Sequence, residues 1–153
     1  MMPKSVVVSD SSCLIVLKRI NRLILLQQLF EVIYITPEVN SEVGEILPDW
    51  IIVKKANNIN LQHALELELD SGEASSLALC SEFDNSLLII DERRGRLIAQ
   101  KMKQQIRGTL GLFLDAKEKG IISTILPILI EMENEGFRIS SELKFNVLKL
   151  AGE

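Results

Sequence analysis

The chain has 153 residues, 47% of them hydrophobic and 25% charged, with a net charge of −4. That length and apolar content suit one compact domain with a sizeable core, and they exclude a disordered or fibrous chain. The acidic balance, with a pI of about 5.2, argues against a protein that coats nucleic acid broadly, although a bound metal would invert the sign of a local acidic site.

Aromatic residues are only 5%, so the core is aliphatic and stacking platforms for bases are scarce. Cys13 and Cys80 lie in apolar helical contexts without metal-type spacing, and read as buried small hydrophobes of a reducing compartment. From Met1 to Asp10 there is no apolar region of signal-peptide length. The longest apolar stretch, Ile121 to Ile130, is broken by Ser123, Thr124 and Pro127 and is too short to span a bilayer. These features set the expectation of a soluble, cytoplasmic protein.

Taken in chain order, strands and helices alternate. Ser5 to Ser9 reads as a first strand around Val6-Val7-Val8. Ser11 to Leu17 and Leu23 to Leu29 read as helices broken near Asn21. Val32 to Ile35 is a short strand. A helix then starts with Thr36 as N-cap and Pro37 at its first position, and ends before Pro48. Ile51 to Val53 is β-rich, and Leu61 to Leu69 is helical. Asp70-Ser71-Gly72-Glu73 opens a helix that runs to about Phe83. Leu87 to Ile90 is an apolar strand ending at Asp91. Arg93 to Gln104 is a helix and Ile106-Arg107 a last short strand. Thr109 to Lys119 is a helix closed by Gly120, and Leu126 to Glu135 and Ser141 to Leu150 are the final helices. Apolar strands without clean alternation, each followed by a helix, predict a parallel sheet covered on both faces.

Four carboxylates punctuate this order. Asp10 and Asp91 follow apolar strands, at the edge where such sheets bind ligands. Glu42 and Glu73 lie in or near the first two turns of helices. Each has an ordinary role open to it: Asp10 and Asp91 as helix caps, Glu42 on a solvated face, and Glu73 in a capping box begun by Asp70. Together they suggest one site. Converging carboxylates repel one another, and one or more protonates unless a cation is bound. An all-oxygen set without His or Cys suits Mg²⁺ or Mn²⁺ rather than zinc. An ion so held activates a water and stabilises an in-line displacement at phosphorus.

Other residues have competing readings. Arg93, Arg94, Arg96, Lys101 and Lys103 fall within an arc of about 180° on one helix, with Ile98, Ala99 and Met102 opposite. That arc is either a phosphate-contacting face or a solvated one. Lys18, Arg19, Arg22, Lys54 and Lys55 are weaker candidates of the same kind. Ser11 and Ser12 can bond a metal ligand or a phosphate, or simply cap a helix. His63 reads as a surface residue, and Thr109 as a plain helix cap. Leu23 to Leu29 and Ile125 to Ile130 read as core rather than dimer seam.

Several segments, in order, resemble the motifs of a PIN domain. Val7-Val8-Ser9-Asp10-Ser11-Ser12 is similar to the opening motif of a strand, an Asp and small hydroxyl residues. Pro37-Glu38-Val39-Asn40-Ser41-Glu42 resembles the element that carries the second acid. Leu69 to Ala78 resembles the third-acid helix, and Leu88-Ile89-Ile90-Asp91-Glu92-Arg93 the fourth-acid strand end. Gly108-Thr109-Leu110-Gly111 with Ala116 to Gly120 is similar to the closing motif of a prokaryotic branch. The resemblance covers roughly residues 5 to 135 of a single domain spanning 1–153.

That superfamily includes the VapC-type toxin ribonucleases. The resemblance implies an α/β fold of three α/β/α layers around a central, mainly parallel sheet of 4–5 strands. It implies a Mg²⁺- or Mn²⁺-dependent endoribonuclease whose catalytic and metal-binding acids are Asp10, Glu42, Glu73 and Asp91. Ser12 and Glu92 are accessory candidates, and Arg93, Arg94, Arg96 and Lys101 are candidate substrate contacts. RNA substrate, a homodimer and an antitoxin partner are further implications. The chain departs from the toxins at its third acid, where Asp is commoner than Glu73 and Asp70 is a rival, and at its fourth, where Asp91 and Glu92 adjoin. The alternative is a PIN fold that binds RNA or protein without cleaving. A phosphoryl-accepting signalling domain and a haloacid-dehalogenase phosphatase fit poorly. The former wants paired acids at the first strand and a Lys after the last; the latter wants an Asp where Ser12 stands.

Overall fold

A computed structural model describes residues 5–153; the reading of Met1 to Lys4 as free of a secretion signal lies outside the described residues. The five strands are β1 (Val6–Ser9), β2 (Ile33–Ile35), β3 (Ile51–Val53), β4 (Ser86–Ile89) and β5 (Gln105–Arg107). They form one sheet in the order β3-β2-β1-β4-β5, and every pairing is parallel. The helices are α1 (Ser11–Arg19), α2 (Ile24–Phe30), α3 (Pro37–Val43), α4 (Ile59–Leu65), α5 (Ser71–Cys80), α6 (Arg93–Lys101), α7 (Thr109–Glu118), α8 (Leu126–Asn134) and α9 (Ser141–Leu150). This is the expected α/β/α arrangement, with a sheet parallel throughout.

Both faces of the sheet are buried, which is why its strands read as unbroken apolar runs. Val7, Ile33, Ile35 and Ile89 point into one layer with Leu14 and Leu17 of α1, Leu26 of α2, Phe113 of α7 and Leu129 of α8. Val8, Leu88 and Ile90 point the other way, against Leu77 of α5, Leu65 of α4 and Ala99 of α6. Cys13 and Cys80 are both buried and unpaired, one in each layer.

Local chemistry sets the boundaries. Asn21 adopts φ 57° between α1 and α2, as its place in the expected break requires. The Thr36 hydroxyl accepts the Val39 amide and Pro37 opens α3. That helix stops at Gly44, in the left-handed region with φ 67°, well before Pro48. The helix after Asp91 is shorter than its charge pattern suggests. It ends at Lys101, Met102 is exposed, and Lys103 lies beyond the helix with φ 62°. Lys103 is therefore no part of the helical basic face.

In the stretches read as core, Leu25, Leu26, Ile125, Ile128 and Leu129 are buried, while Ile24, Leu126 and Ile130 are exposed. Among the described residues no helix is long and apolar enough to cross a membrane.

Candidate active site: an acidic crevice at the carboxyl edge of the sheet

Strand order reverses between β1 and β4: from β1 the chain builds outward to β2 and β3, and from β4 to β5. Ligand crevices of parallel sheets open at the carboxyl ends of strands at such a point. Ser9 pairs with Ile89 in register, and the Asp10 amide bonds the Ile89 carbonyl at 2.9 Å. Asp10 and Asp91 therefore leave neighbouring strands side by side at this edge.

Asp10 occupies the N-cap position of α1, yet its side chain makes no capping bond to that helix. It is 4% exposed, and its Oδ1 has no hydrogen-bond partner among the described residues. Burial pushes its pKa up to about 7; the Ser11 amide opposes the rise, and the charges of Glu42, Asp70 and Asp91 add to it. Glu73 is 6% exposed, and its Oε2 likewise has no partner. Its pKa is also raised, first by burial, then by hydrogen bonding to Asp70 and by the charges of Asp70, Asp10 and Glu92. Asp70 caps α5 by accepting the Glu73 amide at 2.8 Å. Between these two rivals, Glu73 is the one turned inward and Asp70 is exposed.

Glu42, on α3, is exposed and its Oε2 accepts the Ser11 hydroxyl at 2.6 Å. Ser11, rather than Ser12, thus reaches an acid. Asp91 does not cap the helix after its own strand. Its Oδ1 accepts the Thr109 amide at 2.7 Å and its Oδ2 accepts the Thr109 hydroxyl at 2.5 Å, so it holds the start of α7. Thr109 accordingly donates its hydroxyl to Asp91 instead of capping its own helix. The cap of α6 is Glu92, which accepts the Gly95 amide at 2.8 Å; the Gly95 and Arg94 amides hold its pKa below the usual range. Asp91 faces the crevice and Glu92 closes a helix.

The basic candidates separate. Arg96 lies over Gly108, where a Cβ would meet its Nη1 at 2.5 Å and Asp91 Oδ1 at 3.1 Å. Arg96 also lines, with Arg107 and Arg138, a groove of about 540 Å³ that begins at Asp91. Arg94 is engaged with Glu68, through its carboxylate and, at 3.0 Å, its carbonyl oxygen. Arg93 is exposed at the start of α6. Lys101 is exposed at the other end, about 12 Å further along the helix axis. Of the weaker candidates, Lys18 pairs with Glu45 and Arg22 with Glu131; Arg107, in β5, pairs with Asp115. Arg19 lies over Phe137, and Lys54 over Tyr34 and Phe83. His63 is exposed, as read.

The donor set suits a hard divalent cation in kind: carboxylate oxygens only, two of them buried and unpartnered. A buried oxygen without a partner is costly, and a cation is the partner that would satisfy both. Among the described residues, no three His, Cys, Asp or Glu side chains are drawn up around one point; Glu42 is engaged by Ser11 and Asp91 by Thr109. Gly72, Gly95 and the Asp91–Thr109 pair have no local signature in the sequence beyond a glycine inside each of two helical segments.

No curated protein and no solved structure matches the chain. A family model described as a PIN domain matches residues 6–153. Across that span, with a parallel sheet and its helices in the expected order, the chain belongs to the PIN-domain family.

Proposed function

We propose that this chain is a Mg²⁺- or Mn²⁺-dependent endoribonuclease, with Asp10, Glu42, Glu73 and Asp91 as its acids. PIN domains are in general nucleases, and the observation that carries the reading here is the pair of buried, unpartnered oxygens on Asp10 and Glu73. A bound divalent ion supplies a Lewis acid and an activated water for phosphodiester hydrolysis. Asp10 and Glu73, the two buried acids, would hold it. Glu42, anchored by the Ser11 hydroxyl, and Asp91, anchored by Thr109, would complete the site. Arg96, at the lip beside Asp91, binds a substrate phosphate, and Arg93 lies on the same exposed helix start. A homodimer and an antitoxin that covers the crevice belong to the same reading.

The decisive experiment is RNA cleavage by the purified protein with Mg²⁺ or Mn²⁺, beside the Asp10→Asn variant. Cleavage by the wild type and its loss in the variant, by about 10²-fold or more, is the expected result. Equal cleavage by both sinks the reading.

A second reading has its own observation. Glu42 and Asp91 are already satisfied by Ser11 and Thr109, as acids in a purely structural role would be. The chain would then be a PIN fold that binds RNA or a protein without cutting. Calorimetric titration with Mn²⁺ separates the two, since only the nuclease requires the ion.

A further inference from the structure

Two glycines stand inside helices where the backbone does not ask for one. Gly72 is in the first turn of α5 and Gly95 in the first turn of α6, and neither has a positive φ. Glycine weakens a helix relative to alanine, so at each position something must offset that weakening. In both cases the freed space holds a carboxylate from another element.

A Cβ on Gly72 would lie 2.1 Å from Glu42 Oε1, 2.7 Å from its Cδ and 2.9 Å from Oε2. Its three nearest neighbours are thus all of the Glu42 carboxylate, whose Oε2 the Ser11 hydroxyl holds. A Cβ on Gly95 would lie 2.8 Å from Glu73 Oε2 and 2.5 Å from Ile90 Cδ1. That glutamate oxygen is the buried one without a hydrogen-bond partner. Side-chain carbons do not sit closer than about 3.0 Å to such atoms, so alanine at either position displaces an acid of the crevice.

We propose that Gly72 and Gly95 are positioning residues of the acidic crevice, each omitting a side chain so that a glutamate from a neighbouring element can seat its carboxylate there. The inference rests on the nuclease reading for what the crevice binds. It also accounts for glutamate at 42 and 73: the longer acid reaches across to the adjoining helix, and the missing methyl receives it.

Alanine at 72 improves the intrinsic helix preference of α5 while evicting Glu42, so folding and ion binding move in opposite directions. Alanine at 95 also presses on Ile90, which makes Gly72 the cleaner position. Shortening the partner acid removes the carboxylate clash, so Glu42→Asp relieves Gly72→Ala, and Glu73→Asp relieves the part of Gly95→Ala that falls on Glu73 but not the part that falls on Ile90.

The test compares the wild type, both alanine variants and the two double variants. Mn²⁺ is titrated by calorimetry, and ¹³C carboxyl resonances are recorded without metal. Expected is a loss of Mn²⁺ affinity of about ten-fold or more in each single variant, partly regained in the matching double variant. Gly72→Ala keeps or raises the melting temperature. In the metal-free proteins, Gly72→Ala moves the Glu42 resonance and not that of Glu73, and Gly95→Ala does the converse. Unmoved resonances, single variants that bind Mn²⁺ like the wild type, or double variants weaker than the singles overturn the proposal. A wild type that binds no Mn²⁺ defeats the nuclease reading instead, and the resonances then decide the glycine seats alone.

Discussion

Asp10 sits where a helix cap belongs and makes no cap bond, which leaves a buried carboxyl oxygen without a partner. The unfolded chain releases that proton near 3.8, whereas the folded protein keeps it until about 7. Between those values the native state binds more protons than the unfolded state, so stability falls as pH rises. Glu73 is shifted in the same direction and extends the fall to higher pH. The unfolding free energy of the metal-free protein, read from urea titrations, is therefore expected to drop from about pH 4 upward, by on the order of a few kcal/mol in total, and the urea midpoint with it. Asp10→Asn, which keeps the shape and removes the charge, flattens the profile and raises the midpoint at about pH 8. Added Mn²⁺ raises the wild-type midpoint at that pH and leaves the variant nearly unmoved. A flat wild-type profile contradicts this account.

At the scale of elements, α6 shows how one charge pattern divides into different tasks. Glu92 closes its first turn, Arg94 is tied to Glu68, and Arg96 reaches toward Gly108 and Asp91. Only Arg96 combines a crevice position with a guanidinium beside an acid of the site. Arg96→Ala is expected to weaken RNA binding about ten-fold and to lower the salt dependence by about one counterion. Arg94→Ala should change affinity by less than about two-fold, since its charge is already engaged with Glu68. Filter binding across a salt series checks both; equal effects at the two positions would show that the helix acts as a diffuse basic face. The start of α3 follows a similar logic. Thr36 caps it and also bonds the Ser75 hydroxyl at 2.7 Å, which ties the helix carrying Glu42 to the helix carrying Glu73.

At the scale of the whole molecule, Asp10 and Asp91 leave one edge side by side because the strand order turns back between β1 and β4, while helices cover both faces of the sheet. The far layer is stitched from its end. The Glu153 carboxylate accepts the Ile125 amide at 2.8 Å and the Leu126 amide at 3.2 Å, and pairs with Lys117 at 3.0 Å. It thereby caps α8, which has no side-chain cap of its own. Glu153→Ala is expected to lower the melting temperature by about 2–4 °C without altering Mn²⁺ affinity, because this contact lies in the layer opposite α5 and Glu73. A calorimetric scan with a Mn²⁺ titration checks both halves.

Periodicity, caps and breakers made the element order legible in the sequence: Thr36-Pro37, Asn21, Gly120 and the apolar strands each act through local backbone chemistry. The family motifs likewise located the four acids along the chain. What only the tertiary structure decided is what each acid touches. Asp91 and Glu92 adjoin in sequence, yet one holds the start of α7 and the other caps α6. That division depends on where β5 delivers Thr109, a long-range contact that no local pattern encodes. The same holds for Gly72 and Gly95. In sequence they are weak points in helices, and in space they are the seats of Glu42 and Glu73, because steric room is a property of neighbours brought together by the fold.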